Sequence, residues 1–170
     1  MAYVDGKVSL KQLLTNWGLV FVGNFVGALG ILVLIYLSGH WQIGGGAVGA
    51  KVLAIANAKV NMTWVEAFTR GMLCNILVCM AVWLCFAGRT VVDKVLAILF
   101  PITAFVALGF EHSVANMYFI PLAIFHGGVE ISMQDFAYNL VPVTIGNIIG
   151  GSIFVALVYW ISYIKVVVKK

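Results

Sequence analysis

The run from Val95 to Phe125 constrains this chain more than any other stretch. It is 31 residues long and apolar almost throughout. As one straight helix it would be about 47 Å long, at ~1.5 Å of rise per residue, against a hydrocarbon core of about 30 Å. Such a run protrudes, tilts steeply or breaks. Near its midpoint stands Gly109-Phe110-Glu111-His112-Ser113-Val114-Ala115-Asn116, with an acid, an imidazole and an amide. Gly109 is also the residue type most able to leave helical geometry. Length and polarity together predict two half-helices joined at the bilayer midplane, broken near residues 109–113. Irregular backbone at that depth is tolerated only where protein covers it or a wet cavity adjoins it. This stretch is therefore the expected functional centre.

Composition agrees. The chain is 63% hydrophobic and 9% charged, with mean hydropathy +1.08, which points to an all-α, multi-pass membrane protein. The net charge of +4 is small and gathered near the chain ends. It reads as a topology signal, with the lipid bilayer as partner and no nucleic acid. Cys74, Cys79 and Cys85 fall in one apolar segment without CxxC spacing or a nearby histidine, and read as small packing residues. No metal-ligand spacing, nucleophile elbow or Walker loop is present, so no enzyme activity, metal or cofactor is expected.

A single membrane domain over 1–170 is expected, with spans at about 17–37, 64–87, 95–125 and 140–164. The first apolar run is long enough to span, and the lead before it is polar, so it reads as a span and not as a cleavable signal. Ser38–Thr63 reads as a long connection with a Gly44-Gly45-Gly46 turn, and His126–Asn139 as a polar loop. Glu66 and Arg70, spaced i, i+4, are placed to pair near the interface. Lys7, Lys11, Arg89, Lys94, Lys165, Lys169 and Lys170 lie in the lead, the 88–94 loop and the tail. The other connections hold only Lys51 and Lys59. The excess of positive charge places both termini in the cytoplasm.

Asn16, Gly23, Asn24 and Gly27 recur as Asn139, Gly146, Asn147 and Gly150, with one offset of 123 residues. On the inferred topology the two copies are inverted, a habit of transporters and channels. Each also carries a small-xxx-small glycine pair that lets helix backbones approach closely.

Intramembrane ionisable groups mostly mark pathways or relays, which puts His112 on a permeation path, with Asn116 on its face one turn on. Glu111 reads as structural at the break, either accepting hydrogen bonds from freed backbone N–H groups or protonated. Asn75 reads equally as interhelical glue or as a pore-lining donor, with Val78 sharing its face. Phe105 and Phe110 flank the break and read first as packing. His40 and His126 read as solvated loop residues.

These stretches, with Leu140-Val141-Pro142-Val143-Thr144-Ile145-Gly146-Asn147-Ile148-Ile149-Gly150-Gly151, Asn16-Trp17 and Gly23-Asn24-Phe25-Val26-Gly27-Ala28-Leu29, carry a resemblance through almost the whole chain. The sequence resembles the formate/nitrite transporter family, and most closely its FocA-type formate channels. The resemblance implies an aquaporin-like six-helix protomer, of which four spans are present here, the third broken at its midpoint. It implies a homo-pentamer with one pore per protomer, in a bacterial inner (cytoplasmic) membrane. It implies that His112 is the central pore histidine, exchanging a proton with formate or a similar small monocarboxylate. Asn75 and Val78 match pore residues of the facing helix, Phe105 the aromatic of a constriction, and Lys59 and Asn147 polar positions on the route. Nitrite or another small monovalent anion is the alternative cargo. Family members carry two further spans before the Asn16–Leu37 helix, so the chain reads as a C-terminal portion. A non-transporting fragment is the remaining alternative.

Overall fold

The computed structural model describes residues 1–127 and 130–165, all helix, turn or irregular chain with no strand among them. Lys169 and Lys170, two of the cations that bear on topology, lie outside the described residues. Helix α1 spans Leu10–Leu37, α2 Ala47–Val60, α3 Trp64–Ala87, α4 Val91–Ala107, α5 Ser113–His126 and α6 Met133–Ile149. The α6 rod continues to Lys165 through wider, π-type turns at Gly150–Leu157 and Trp160–Lys165. Three rods, Leu10–Leu37, Trp64–Ala87 and Met133–Lys165, are long and apolar enough to cross a membrane.

Four of the helices begin with the same device. Ser9 with Gln12, Thr63 with Glu66, Thr90 with Asp93 and Ser132 with Asp135 form capping boxes that start α1, α3, α4 and α6. Each satisfies two otherwise orphaned backbone donors reciprocally. These caps explain why α1 begins at Leu10 and not Trp17, and α6 at Met133 and not Leu140. They also correct the expected Glu66–Arg70 pair. The Glu66 carboxylate is occupied by the Thr63 backbone N–H at 2.9 Å and the Thr63 hydroxyl at 2.7 Å. No ion pair with Arg70 forms among the described residues.

The Ser38–Thr63 connection is not a simple loop. Gly44, Gly45 and Gly46 take left-handed φ of 67°, 65° and 91°, and this turn launches the 14-residue α2. Ala56 of α2 is fully buried in a core with Ile120 and Ala123 of α5 and Phe136 of α6.

Helix α3 lies against α4 on one side and α6 on the other. The α3–α6 contact is close because its seam is glycine. A Cβ on Gly146 would overlap the Phe68 carbonyl, and one on Gly150 the Met72 carbonyl. Gly23 and Gly27 of α1, their counterparts in the repeat, have no heavy atom within 4 Å of such a Cβ. They line an open groove of about 370 Å³ with Ala28, Ile31, Val114 and Tyr118.

Candidate functional site

The long apolar run is broken as its length demands. Helix α4 ends at Ala107, Gly109 takes φ +66°, and α5 begins at Ser113 with His112 as its N-cap. The break leaves orphaned backbone groups, and the chain satisfies them one by one. The Phe110 N–H donates to the Phe105 carbonyl at 3.0 Å, and the Glu111 N–H to the Arg70 carbonyl at 3.3 Å. The Ser113 N–H donates to Asn147 Oδ1 at 2.9 Å. The Asn147 amide donates in turn to the carbonyls of Gly71 at 2.7 Å and Glu111 at 3.0 Å. One side chain of α6 therefore fastens α3 to both the end of the break and the start of α5. Asn75 of α3 donates to the Asn147 backbone carbonyl at 2.5 Å.

The Glu111 carboxylate is 2% exposed and held by side chains, not by the backbone donors expected of it. Lys59 Nζ lies 2.7 Å from Oε1, and Asn116 Nδ2 donates to Oε2 at 2.7 Å. Asn116 Nδ2 also donates to Asn139 Oδ1 at 2.7 Å, and Asn139 Nδ2 to the Lys59 carbonyl at 2.8 Å. The bonds close a ring through α2, the break, α5 and α6. Sequence reasoning singles out each of Lys59, Glu111, Asn116 and Asn139, but not that they form one circuit.

His112 is half-buried, and its ring lies 6.0 Å from that of Phe105, nearly parallel at 25°. Two cavities meet at this residue. One, of about 480 Å³, is lined by Asn16, Asn24, Asn75, Thr144 and Asn147 besides His112, with Trp17 and Phe21. The other, of about 350 Å³, is lined by Lys59, Arg70, Phe105, Gly109, Phe110 and Glu111 besides His112. The expected site residues thus divide between two chambers. Asn75 and Asn147 lie on one side of the imidazole, and Lys59, Phe105 and Glu111 on the other. Val78 is half-buried on α3 and, among the described residues, borders neither chamber. Arg70, expected as an interfacial partner of Glu66, is a cavity residue. Its sequence signal is weak, because a cation in the second turn of a membrane helix usually reaches the interface.

An imidazole that borders two cavities, at a break between two short apolar helices, suits a membrane protein of the channel and transporter class. Similarity to known proteins narrows this. The family model described as formate/nitrite transporter matches residues 1–161. The formate channel FocA of Escherichia coli strain K12 is 40% identical over 183 residues, covering 97% of this chain and 64% of that protein. The formate channel FocA of Haemophilus influenzae is 41% identical over 175 residues, covering 92% of this chain and 62% of that protein. A solved structure described as a pentameric formate channel with formate bound matches with TM-score 0.86 at 36% identity. That match covers 93% of this chain and 69% of the other. The chain belongs to the formate/nitrite transporter family and has its fold. It spans 64% of the length of the first of these curated relatives.

Proposed function

We propose that this chain supplies the histidine-bearing part of a conduit for formate across a bacterial inner membrane, with both termini in the cytoplasm. The observation that carries the reading is the position of His112 as a wall common to two chambers. Both formate-channel relatives and the formate-bound structure support the cargo. The pentameric structure supports assembly as a homo-pentamer.

A bare anion in an apolar constriction loses its hydration at a cost of several kcal/mol even after relaxation, as a rough figure. A neutral acid avoids most of that cost. Imidazole, with an ordinary pKa near ~6.5, exchanges protons in the working range of pH. In the proposed mechanism His112, as imidazolium, receives formate from one chamber and gives it a proton. The neutral acid crosses the constriction at His112 and Phe105, and the anion re-forms in the other chamber. Asn75 and Asn147 hold the backbone around the imidazole and present amides to the larger chamber. Lys59 and Glu111 cancel each other's charge in the wall of the smaller one.

The test is formate flux into vesicles carrying the protein, at pH 5 and pH 7.5, for the native sequence, His112→Ala and His112→Phe. Native flux should change with pH, and both variants should lose that dependence. Equal pH dependence in all three removes the proton-exchange role. Nitrite, acetate and lactate in the same assay rank the cargo. If inserted protein passes no anion at all, the conduit reading fails and the chain is a non-transporting fragment.

A further inference from the structure

The chamber on the Lys59 side is lined by two cations, and among the described residues one of them has a carboxylate within 4 Å. Lys59 is neutralised by Glu111 at 2.7 Å, in a pair almost wholly withdrawn from solvent. Arg70 has no carboxylate within 4 Å among the described residues. Its nearest acid by sequence, Glu66, is engaged by Thr63. Yet Arg70 is half-buried and lines the cavity. It is also fixed at its base, since its carbonyl accepts the Glu111 N–H. Its head is placed over the break, where a Cβ on Gly109 would stand 3.9 Å from Nη1. A half-buried guanidinium with no carboxylate within 4 Å among the described residues, on the wall that also carries His112, is suited to a planar anion.

We infer that Arg70 is the carboxylate-docking residue of this chamber, holding a small planar monocarboxylate through two parallel N–H···O bonds before it reaches His112. The inference rests on the permeation reading above and deepens it. A guanidinium fork matches the two oxygens of a carboxylate in a way an ammonium cannot, so the site discriminates by geometry as well as by charge. Chloride, a sphere, gains only the charge. Lys59 cannot perform this task while its charge is matched by Glu111. Arg70 acts on arrival and His112 on passage, so the two residues affect different parts of the flux curve.

The experiment has two readouts on the same preparations. Binding of 13C-formate to the protein in detergent is followed by line broadening, with chloride as competitor, for the native sequence, Arg70→Lys and Arg70→Gln. Saturable binding is expected in the native protein. Losing a charge-assisted bidentate contact should weaken it about tenfold or more in Arg70→Gln. Arg70→Lys should keep part of the affinity and lose the preference for formate over chloride. In vesicles, Arg70→Gln should raise the half-saturating formate concentration by a similar factor, with the maximal rate within about twofold. That split separates docking from a merely structural role, which would lower the maximal rate. Equal formate binding in Arg70→Gln and native protein overturns the inference, as does the absence of saturable binding in native protein. Native binding that Arg70→Gln weakens, without native flux, upholds Arg70 as the docking residue and overturns the permeation reading instead.

Discussion

Lys59 Nζ lies 2.7 Å from Glu111 Oε1, with side-chain exposures of 12% and 2%. This pair joins the end of α2 to the break between α4 and α5, across 52 residues of sequence. Breaking a buried pair from one side costs about 3–5 kcal/mol, because the remaining charge is left without a partner. Glu111→Gln should therefore lower the thermal unfolding midpoint in detergent sharply. Lys59→Met combined with Glu111→Gln should recover much of the loss. A double variant as unstable as the two single losses added together would show that the pair is not the source of the effect.

Asn147 offers a second test, because its two ends do different work. Its Oδ1 accepts the Ser113 N–H, and its Nδ2 donates to the Gly71 and Glu111 carbonyls. Each buried polar group left unsatisfied costs about 1–3 kcal/mol. Asn147→Ala orphans the Ser113 N–H and the Glu111 carbonyl, since the Gly71 carbonyl keeps its place in the α3 ladder, and should destabilise by at least about 2 kcal/mol on that scale. Asn147→Asp keeps the acceptor but turns a carboxylate oxygen toward two carbonyls, so it should rescue little. Full stability of Asn147→Asp in a denaturation series would remove the amide donor from the account.

The repeat makes a prediction by contrast. Gly146→Ala drives a methyl into the Phe68 carbonyl, whereas Gly23→Ala meets nothing. Overpacking a close contact costs about 1–3 kcal/mol. Gly23→Ala should leave stability within about 0.5 kcal/mol, as for an open surface site. Unfolding midpoints of the two variants, measured side by side, check the asymmetry. Equal losses would mean that the α1 groove is as tightly filled as the α6 seam.

Asp5 ties the N-terminal lead to the far end of α6. Its carboxylate pairs with Lys7 at 2.7 Å and accepts from Trp160 Nε1 at 3.2 Å. Lys7 first, and then Trp160, hold it below the usual carboxylate range. A folded-state value below the unfolded one means that the contact contributes at and above the ordinary value of about 3.9. The contribution is lost as pH falls through the lowered folded value. Trp160 fluorescence should therefore hold steady from neutral pH into mild acid and change only below the ordinary carboxylate range. In Asp5→Asn the acid step should vanish. An unchanged acid step in Asp5→Asn would assign it to another group.

The break itself was legible, because a 31-residue apolar run cannot fit the bilayer straight and Gly109 marks where it yields. His112 and Asn147 stand out in the sequence for the same reason, since polar groups at that depth need a partner or a role, and the structure gives Asn147 its partners at the break. The ring through Lys59, Glu111, Asn116 and Asn139 was not legible. Neighbour rules along a helix see four residues ahead, and these bonds run between four elements. Helix α2 was hidden by three glycines, which read as the middle of a loop and are in fact the turn that starts a helix. Glu66 and Arg70 show the opposite failure. The i, i+4 rule offered a pair, but Thr63 competes for the same carboxylate, and a reciprocal cap next to the helix start wins.

The two chambers that meet at His112 have an electrical consequence. Water that fills a chamber conducts, so it carries almost none of a membrane's voltage. If the two chambers open to opposite sides of the membrane, as the proposed conduit requires, the insulating gap narrows toward the histidine and its nearest neighbours. The field of the whole bilayer would then fall on one ring. A unit charge crossing the full potential gains or loses about 2.3 kcal/mol per 100 mV. Formate passing as an anion would take most of that within a few ångströms, and formic acid none, so the current–voltage curve would report which species crosses.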